Sequence, residues 1–135
     1  MNRGDPGSAI YTVLAAGTAL TGQIGGTRIY LEQAPQGATL PCVIISRLTA
    51  RDTNDSPRRN RRALYVVKAI TEDDVDKAEA IDDEIDTLLF DATLTVTGWG
   101  VYWCRRTTDV QYREGGPGGA TMHHRGAQYE IRLAE

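Results

Sequence analysis

The chain has 135 residues, 41% of them hydrophobic and 24% charged, with a net charge of −3. That length points to one domain, residues 1–135, with a single core, and the composition is that of a globular chain. No apolar run approaches the roughly 18 residues of a membrane span, and the opening MNRGDPGSAIY has no apolar stretch of a secretory signal, so a protein made in a cytoplasm is expected.

In chain order, Asp5-Pro6 opens a helix, with Asp as N-cap and Pro at the first helical position. Ile10, Val13, Leu14 and Gly17 give it one apolar face, and it fades by Gly22. Gly25-Gly26 turn the chain into a short strand, Arg28–Tyr30. GQIGGT (22–27) has no lysine and no phosphate-loop pattern. After the turn-rich connector Ala34-Pro35-Gln36-Gly37 comes Leu40-Pro41, then the most β-prone run of the chain, Cys42-Val43-Ile44-Ile45. Pro41 lacks an N–H and suits the first position of a strand. Four apolar residues without alternation predict a strand end covered on both faces. This strand continues through Thr49 and is expected to be the one around which the sheet is built.

Asp52–Arg62, DTNDSPRRNRR, reads as a polar surface loop carrying Arg58, Arg59, Arg61 and Arg62. It is either a basic finger for DNA or an acidic neighbour, or a solvated hairpin tip. Ala63–Thr71 is the antiparallel partner of the preceding strand. Thr71 then caps a helix, with Asp74 three residues on, that runs to about Phe90. Its apolar side is Val75, Ala78, Ile81, Ile85, Leu88 and Leu89. Three strands finish the chain: Leu94–Thr97 through Gly98 into Trp99–Arg106, then Asp109–Arg113, and, after a Gly/Pro turn at Glu114–Thr121, Ala127–Leu133. The last alternates, with Tyr129, Ile131 and Leu133 inward. The fold class is α+β, an α/β sandwich of a mainly antiparallel sheet packed by two helices, in the order α-β-β-β-α-β-β-β.

Charge is spread unevenly. Residues 72–91 hold ten acids and one base, Lys77, on an otherwise basic body. Glu79 and Asp83, and likewise Asp82 and Asp86, are four apart and share a helix face. There is no calcium-loop pattern and no histidine in the cluster, so it reads as a solvated face or an interface, with no metal. His123 and His124 are adjacent and point to opposite faces of a strand. Cys42 and Cys104 lack close spacing and read as two buried small hydrophobes rather than a disulfide. The only serines are Ser8, Ser46 and Ser56, none in a nucleophile motif. Neither catalysis nor a cofactor is expected.

The sequence of Arg28-Ile29-Tyr30, Ala34-Pro35-Gln36-Gly37, Leu40-Pro41-Cys42-Val43-Ile44-Ile45, the helix from Asp73 with Leu88-Leu89, and Arg125-Gly126 before the last strand resembles a phage family. It is similar to the tail terminator (tail completion, tail-to-head joining) proteins of long-tailed siphophages. The likeness spans nearly the whole chain; Cys42 stands where an aromatic or aliphatic residue is expected. The resemblance implies a structural virion protein of the tail or neck, without enzymatic activity or membrane contact. It implies a homo-oligomeric ring, usually a hexamer, that caps the head-proximal end of the tail tube and ends its polymerisation. Its partners would be the tail tube protein, the head-completion (stopper) protein, and DNA passing through the lumen without sequence-specific binding. Arg58, Arg59, Arg61, Arg62, Glu79, Asp82, Asp83 and Asp86 are then candidates for subunit or tube contacts, because a closed ring needs two complementary patches per subunit. The alternatives are another neck component (a head-completion or minor tail protein) or a small nucleic-acid-binding module using the arginine loop.

Overall fold

The computed structural model describes residues 4–54 and 58–135. Two short helices, α1 (Gly7–Ala15) and α2 (Thr18–Ile24), precede β1 (Ile29–Leu31), β2 (Cys42–Asp52) and β3 (Asn60–Glu72). Then come α3 (Val75–Leu89) and two long strands, β4 (Gly100–Gly115) and β5 (Thr121–Ala134). The strands form one sheet in the order β1-β2-β3-β5-β4, antiparallel throughout except for β1 beside β2. The α+β class and the mainly antiparallel sheet are as the sequence leads one to expect.

Several details differ. The first helix is broken. Gly17 adopts an extended backbone (ψ 103°), and a Cβ there would sit 2.5 Å from Leu88 Cδ1, so α3 packs where a side chain would otherwise stand. Ile10 and Leu14 from α1 and Leu20 and Ile24 from α2 are all fully buried. The two helices thus cover more of the sheet than one straight helix of that length. The second difference lies at the C-terminal end of the chain. Leu94–Thr97 is not a strand; Val96 and Trp99 close a tight turn, with Gly98 at φ +83°. Leu94, Val96 and Trp99 are buried and plug one end of the core. The two expected strands at Trp99–Arg106 and Asp109–Arg113 are one strand, β4, which absorbs irregularities between Val101 and Trp103 and between Arg106 and Thr108.

Third, the sheet is centred on β3, not on β2. β3 pairs along its length with β2 on one side and β5 on the other. Its Ala63, Tyr65, Val67 and Ala69 point into the main core with Tyr129, Ile131 and Leu133 of β5. β2 does begin directly after Pro41, and Cys42–Ile45 are buried on both faces. Val43 and Ile45 face the helices, while Cys42 and Ile44 pack under the β1–β2 connector with Leu40 and Ala34. Both cysteines are free and buried. Burial pushes the Cys42 thiol up to about 11 and, with Asp91 and Asp86 nearby, the Cys104 thiol up to about 12.

The start of α3 also differs. Thr71 ends β3, and Asp74 is the cap, its carboxylate accepting from Lys77 N at 2.9 Å. Thr71 donates its hydroxyl to the Asp74 carbonyl instead. At the start of α1, Pro6 rather than Asp5 holds the cap position and Gly7 is the first helical residue; Asp5 accepts from Gly7 N (3.1 Å) and from the Tyr65 hydroxyl, tying α1 to the central strand. The arginine-rich segment is shorter than a free loop from 52 to 62: Asp52 pairs with Arg61 and Arg51 with Arg62 in the ladder. Asp55, Ser56 and Pro57 of that expected loop lie outside the described residues. The Gly/Pro turn is anchored, because the Asp73 carboxylate and amide hold Thr121 N and O, each at 2.8 Å.

One glycine sets the β3–β5 contact. A Cβ on Gly126 would run into the Val67 carbonyl oxygen and stand 2.5 Å from Lys68 Cα. Those are backbone atoms of the central strand and cannot swing aside. Gly126→Ala is therefore expected to cost about 3 kcal/mol, the upper end for overpacking. Urea unfolding of the variant beside Gly115→Ala, where a Cβ meets open space, measures it.

Candidate functional site

The helices lie on one side of the sheet, so the molecule offers two broad surfaces: the outside of α3, and the uncovered sheet face. Alternation sends β3 residues Arg62, Leu64, Val66, Lys68 and Ile70 to the uncovered face. Register then lines up neighbours across the strands. One row runs Arg51–Arg62–Arg132–Trp103 across β2, β3, β5 and β4, and the next same-face row runs Thr49–Leu64–Glu130–Arg105. Four guanidiniums and one carboxylate therefore share one end of this face.

Like charges directly opposite one another repel, and the chain offsets this only in part. Trp103 lies between Arg105 (4.1 Å to the ring centroid) and Arg132 (5.3 Å). Glu130 accepts from Trp103 Nε1 at 3.2 Å and lies 3.7 Å from Arg62 Nε. The Nε atoms of Arg62 and Arg132 are shielded from solvent and have no hydrogen-bond acceptor among the described residues. The opposite end of the face is apolar. Cys42, Ile70 and Met122 line a cleft there with Ala34 and Leu40 of the connector.

Five of the six acids on α3 divide into two strips; the sixth, Glu84, is half-buried. On the flank toward β4 and β5, Asp82 takes a bidentate pair from Arg106 (3.0 and 2.9 Å), and Glu79 lies 3.2 Å from Arg125. Asp86 accepts from the Tyr129 hydroxyl at 3.0 Å. Arg106 also holds Asp109 at 2.9 Å. Its hydrogen bond to Asp82 keeps Arg106 charged even further above the usual range, against its burial. Burial, helped by Asp86, raises the Tyr129 hydroxyl. On the outward strip stand Asp76 and Asp83, both exposed, with Ala80 between them.

The arginine hairpin is split in the same manner. Arg61 pairs with Asp52 (3.2 Å), Arg59 reaches Glu135 (4.0 Å) and the Trp99 ring (5.8 Å), and Arg62 belongs to the uncovered-face row. Arg58 is exposed at the hairpin end. No ion pair among the described residues joins this hairpin to α3. Arg51, Trp103, Arg105 and Arg132, which sequence reasoning did not single out, are the residues the register gathers. The alternation of β5 already placed Glu130 and Arg132 outward, but their neighbours depend on cross-strand pairing.

His124 sits on the uncovered face, buried, stacked on Tyr112 (4.2 Å, 13°) with Nε2 2.6 Å from Glu114. His123 lies on the other side of the strand, beside Val75 and Arg125. Among the described residues no three metal-ligating side chains converge, and no helix is long and apolar enough to cross a membrane.

Two outcomes follow from these pairs. Arg106→Ala leaves Asp82 and Asp86 without their cation in a partly buried setting and is expected to lower the unfolding free energy by about 2 kcal/mol, less than for a fully buried pair. Asp83→Ala, on the outward strip, should change it by under about 0.5 kcal/mol in the same denaturant titration. Burial, with Lys68 adding and the Glu114 bond opposing, lowers the His124 pKa below its ordinary 6.5. The unfolded chain then takes up the proton first, so this residue's contribution is intact above 6.5 and falls away as pH drops below it. His124→Gln should flatten the dependence of unfolding free energy on pH in that window.

The family model for tail completion protein gp17 matches residues 8–133, nearly the whole chain. Among solved structures, a chain described as "Virion of native gene transfer agent (GTA) particle" is similar, with a TM-score of 0.73 and 18% identity, covering 95% of this chain and 93% of that one. At that identity the likeness speaks for the fold. No curated protein matches the chain. The match along the chain from α1 to β5 settles the family: this chain belongs to the tail completion protein gp17 family and is a structural component of the virion tail.

Proposed function

We propose that the chain is a ring subunit, six to the ring, that caps the head-proximal end of a phage tail tube. It ends tube polymerisation and presents a surface to the head-completion protein, and DNA crosses the lumen without being read. The observation that carries this reading is the family match over residues 8–133. The geometry supports it in two respects. A ring closed by identical contacts requires two different, complementary surfaces on each subunit, and the uncovered sheet face and the outside of α3 differ in charge. Three of the described polar groupings are also engaged in packing: Arg106 with Asp82, His124 with Glu114, Tyr129 with Asp86. This is the pattern of a scaffold rather than of a site that turns over a substrate.

Of the residues singled out for contacts, we assign Asp82, Asp86 and Arg61 to holding the fold, since each has a partner within the chain. Glu79 and Arg59 are paired as well, with Arg125 and Glu135; Arg58 and Asp83, both exposed, and Arg62 of the uncovered-face row remain for contacts between subunits or with the tube.

Light scattering of the purified protein, with and without its tail tube protein, tests the function. A hexamer mass, or a monomer that forms a ring on meeting tube ends, is expected. A chain that adds to the head-completion protein but ignores the tube would make it a different neck component. A monomer that ignores both and binds DNA with a steep salt dependence would make it a nucleic-acid module.

A further inference from the structure

We infer that the arginine row on the uncovered sheet face is the docking surface for the outward strip of α3 from a second copy of this chain. The inference rests on the ring reading above and specifies which surfaces meet.

The sheet face has an excess of positive charge that its own chain does not balance. Arg51, Arg62, Arg105 and Arg132 stand together against the single carboxylate of Glu130. Two of these guanidiniums, Arg62 and Arg132, have a solvent-shielded Nε with no hydrogen-bond acceptor among the described residues, Glu130 standing 3.7 Å from that of Arg62. The outward strip of α3 has the opposite condition. Asp76 and Asp83 are exposed, and neither has an ion-pair partner among the described residues. The inner flank of the same helix is engaged with Arg106 and Arg125, so the exposed α3 carboxylates left without a cation among the described residues are Asp76 and Asp83.

The spacings agree. Asp76 and Asp83 are seven residues apart on one stripe, two helical turns, or about 10.5 Å at 1.5 Å per residue. Arg51 and Arg132 lie on strands separated by two inter-strand steps, about 9.6 Å. A helix lying across the strands therefore brings one carboxylate to each of these guanidiniums. Ala80, midway between the two acids, has only a methyl group, too small to hold the helix off Arg62 and Leu64. Arginine also suits such a contact because its fork of donors matches a carboxylate bidentately.

The two surfaces are on opposite sides of one subunit, so the contact is heterologous and passes from copy to copy until it closes. It leaves the apolar end of the face, with Met122 and the connector, outside the row.

Charge reversal tests this. One variant carries Arg51→Glu and Arg132→Glu, a second carries Asp76→Arg and Asp83→Arg, and a third carries all four. Light scattering at a concentration where the wild type assembles should find both two-site variants monomeric, because like charges then face each other. The four-site variant should regain the wild-type mass. Circular dichroism checks folding; should the sheet-face variant misfold, the helix-face variant, altered only at exposed positions, still decides, and its assembly at wild-type mass overturns the inference. Wild-type assembly that neither reversal disturbs overturns this interface while leaving the ring intact. A wild type that stays monomeric even with tube protein overturns the ring reading itself. Loss of DNA retention by the Arg51/Arg132 variant, with assembly unchanged, assigns the row to phosphate and overturns the inference.

Discussion

The uncovered side of the sheet is the constraint on which the rest of the molecule depends. Tyr65, Val67, Tyr129, Ile131 and Leu133 all point to one side, where three helices bury them. A chain of this size has apolar surface enough for one such layer. The other side of the same strands must then be either polar or covered by something else. This chain divides it: the β1–β2 connector and Tyr112 stacked on His124 cover one end, and arginines occupy the other. The central position of β3 follows from the same demand, since its alternating residues supply both the middle of the core and the middle of the bare face.

Charge on α3 has two distinct uses. Ten acids in a stretch of twenty residues resemble a uniform acidic face when drawn on a helical wheel. In three dimensions the strip nearest the sheet is structural. Asp82 and Asp86 hold Arg106 and the Tyr129 hydroxyl, and these bonds clamp the helix to β4 and β5. Geometry rather than composition decides which carboxylates remain for a neighbour: a helix packed on a sheet has flanks that reach down to it and a crest that does not.

How much of this was legible in the sequence depends on the range of the interaction. The alternation of β5, the apolar side of α3 and the buried start of β2 after Pro41 are local patterns, and each was readable. The break at Gly17 was not, because its cause is Leu88, seventy-one positions away. The merging of two expected strands into β4 turned on the irregularity near Thr107, which lets the ladder continue through a segment that looks like an interruption. Thr71 looked like a helix cap because capping residues precede many helices; pairing with His123 in the ladder made it a strand residue instead. The arginine row was invisible for a related reason. Its members come from four strands, and no single strand shows more than one of them as unusual until register is known.

β4 is the longer of the two edge strands, and it runs sixteen residues along the margin of the sheet. A margin of that length is a template on which further strands, and eventually fibrils, can grow. Two irregularities, around Tyr102 and Thr107, break it into short pieces, and Arg105, Asp109 and Arg113 punctuate what is left. Backbone hydrogen bonding from one molecule to the next is thereby discouraged. Contacts made by side chains, whose attraction weakens with salt and reverses with charge, are not hindered in this way. The long margin is thus built against its own extension, strand upon strand.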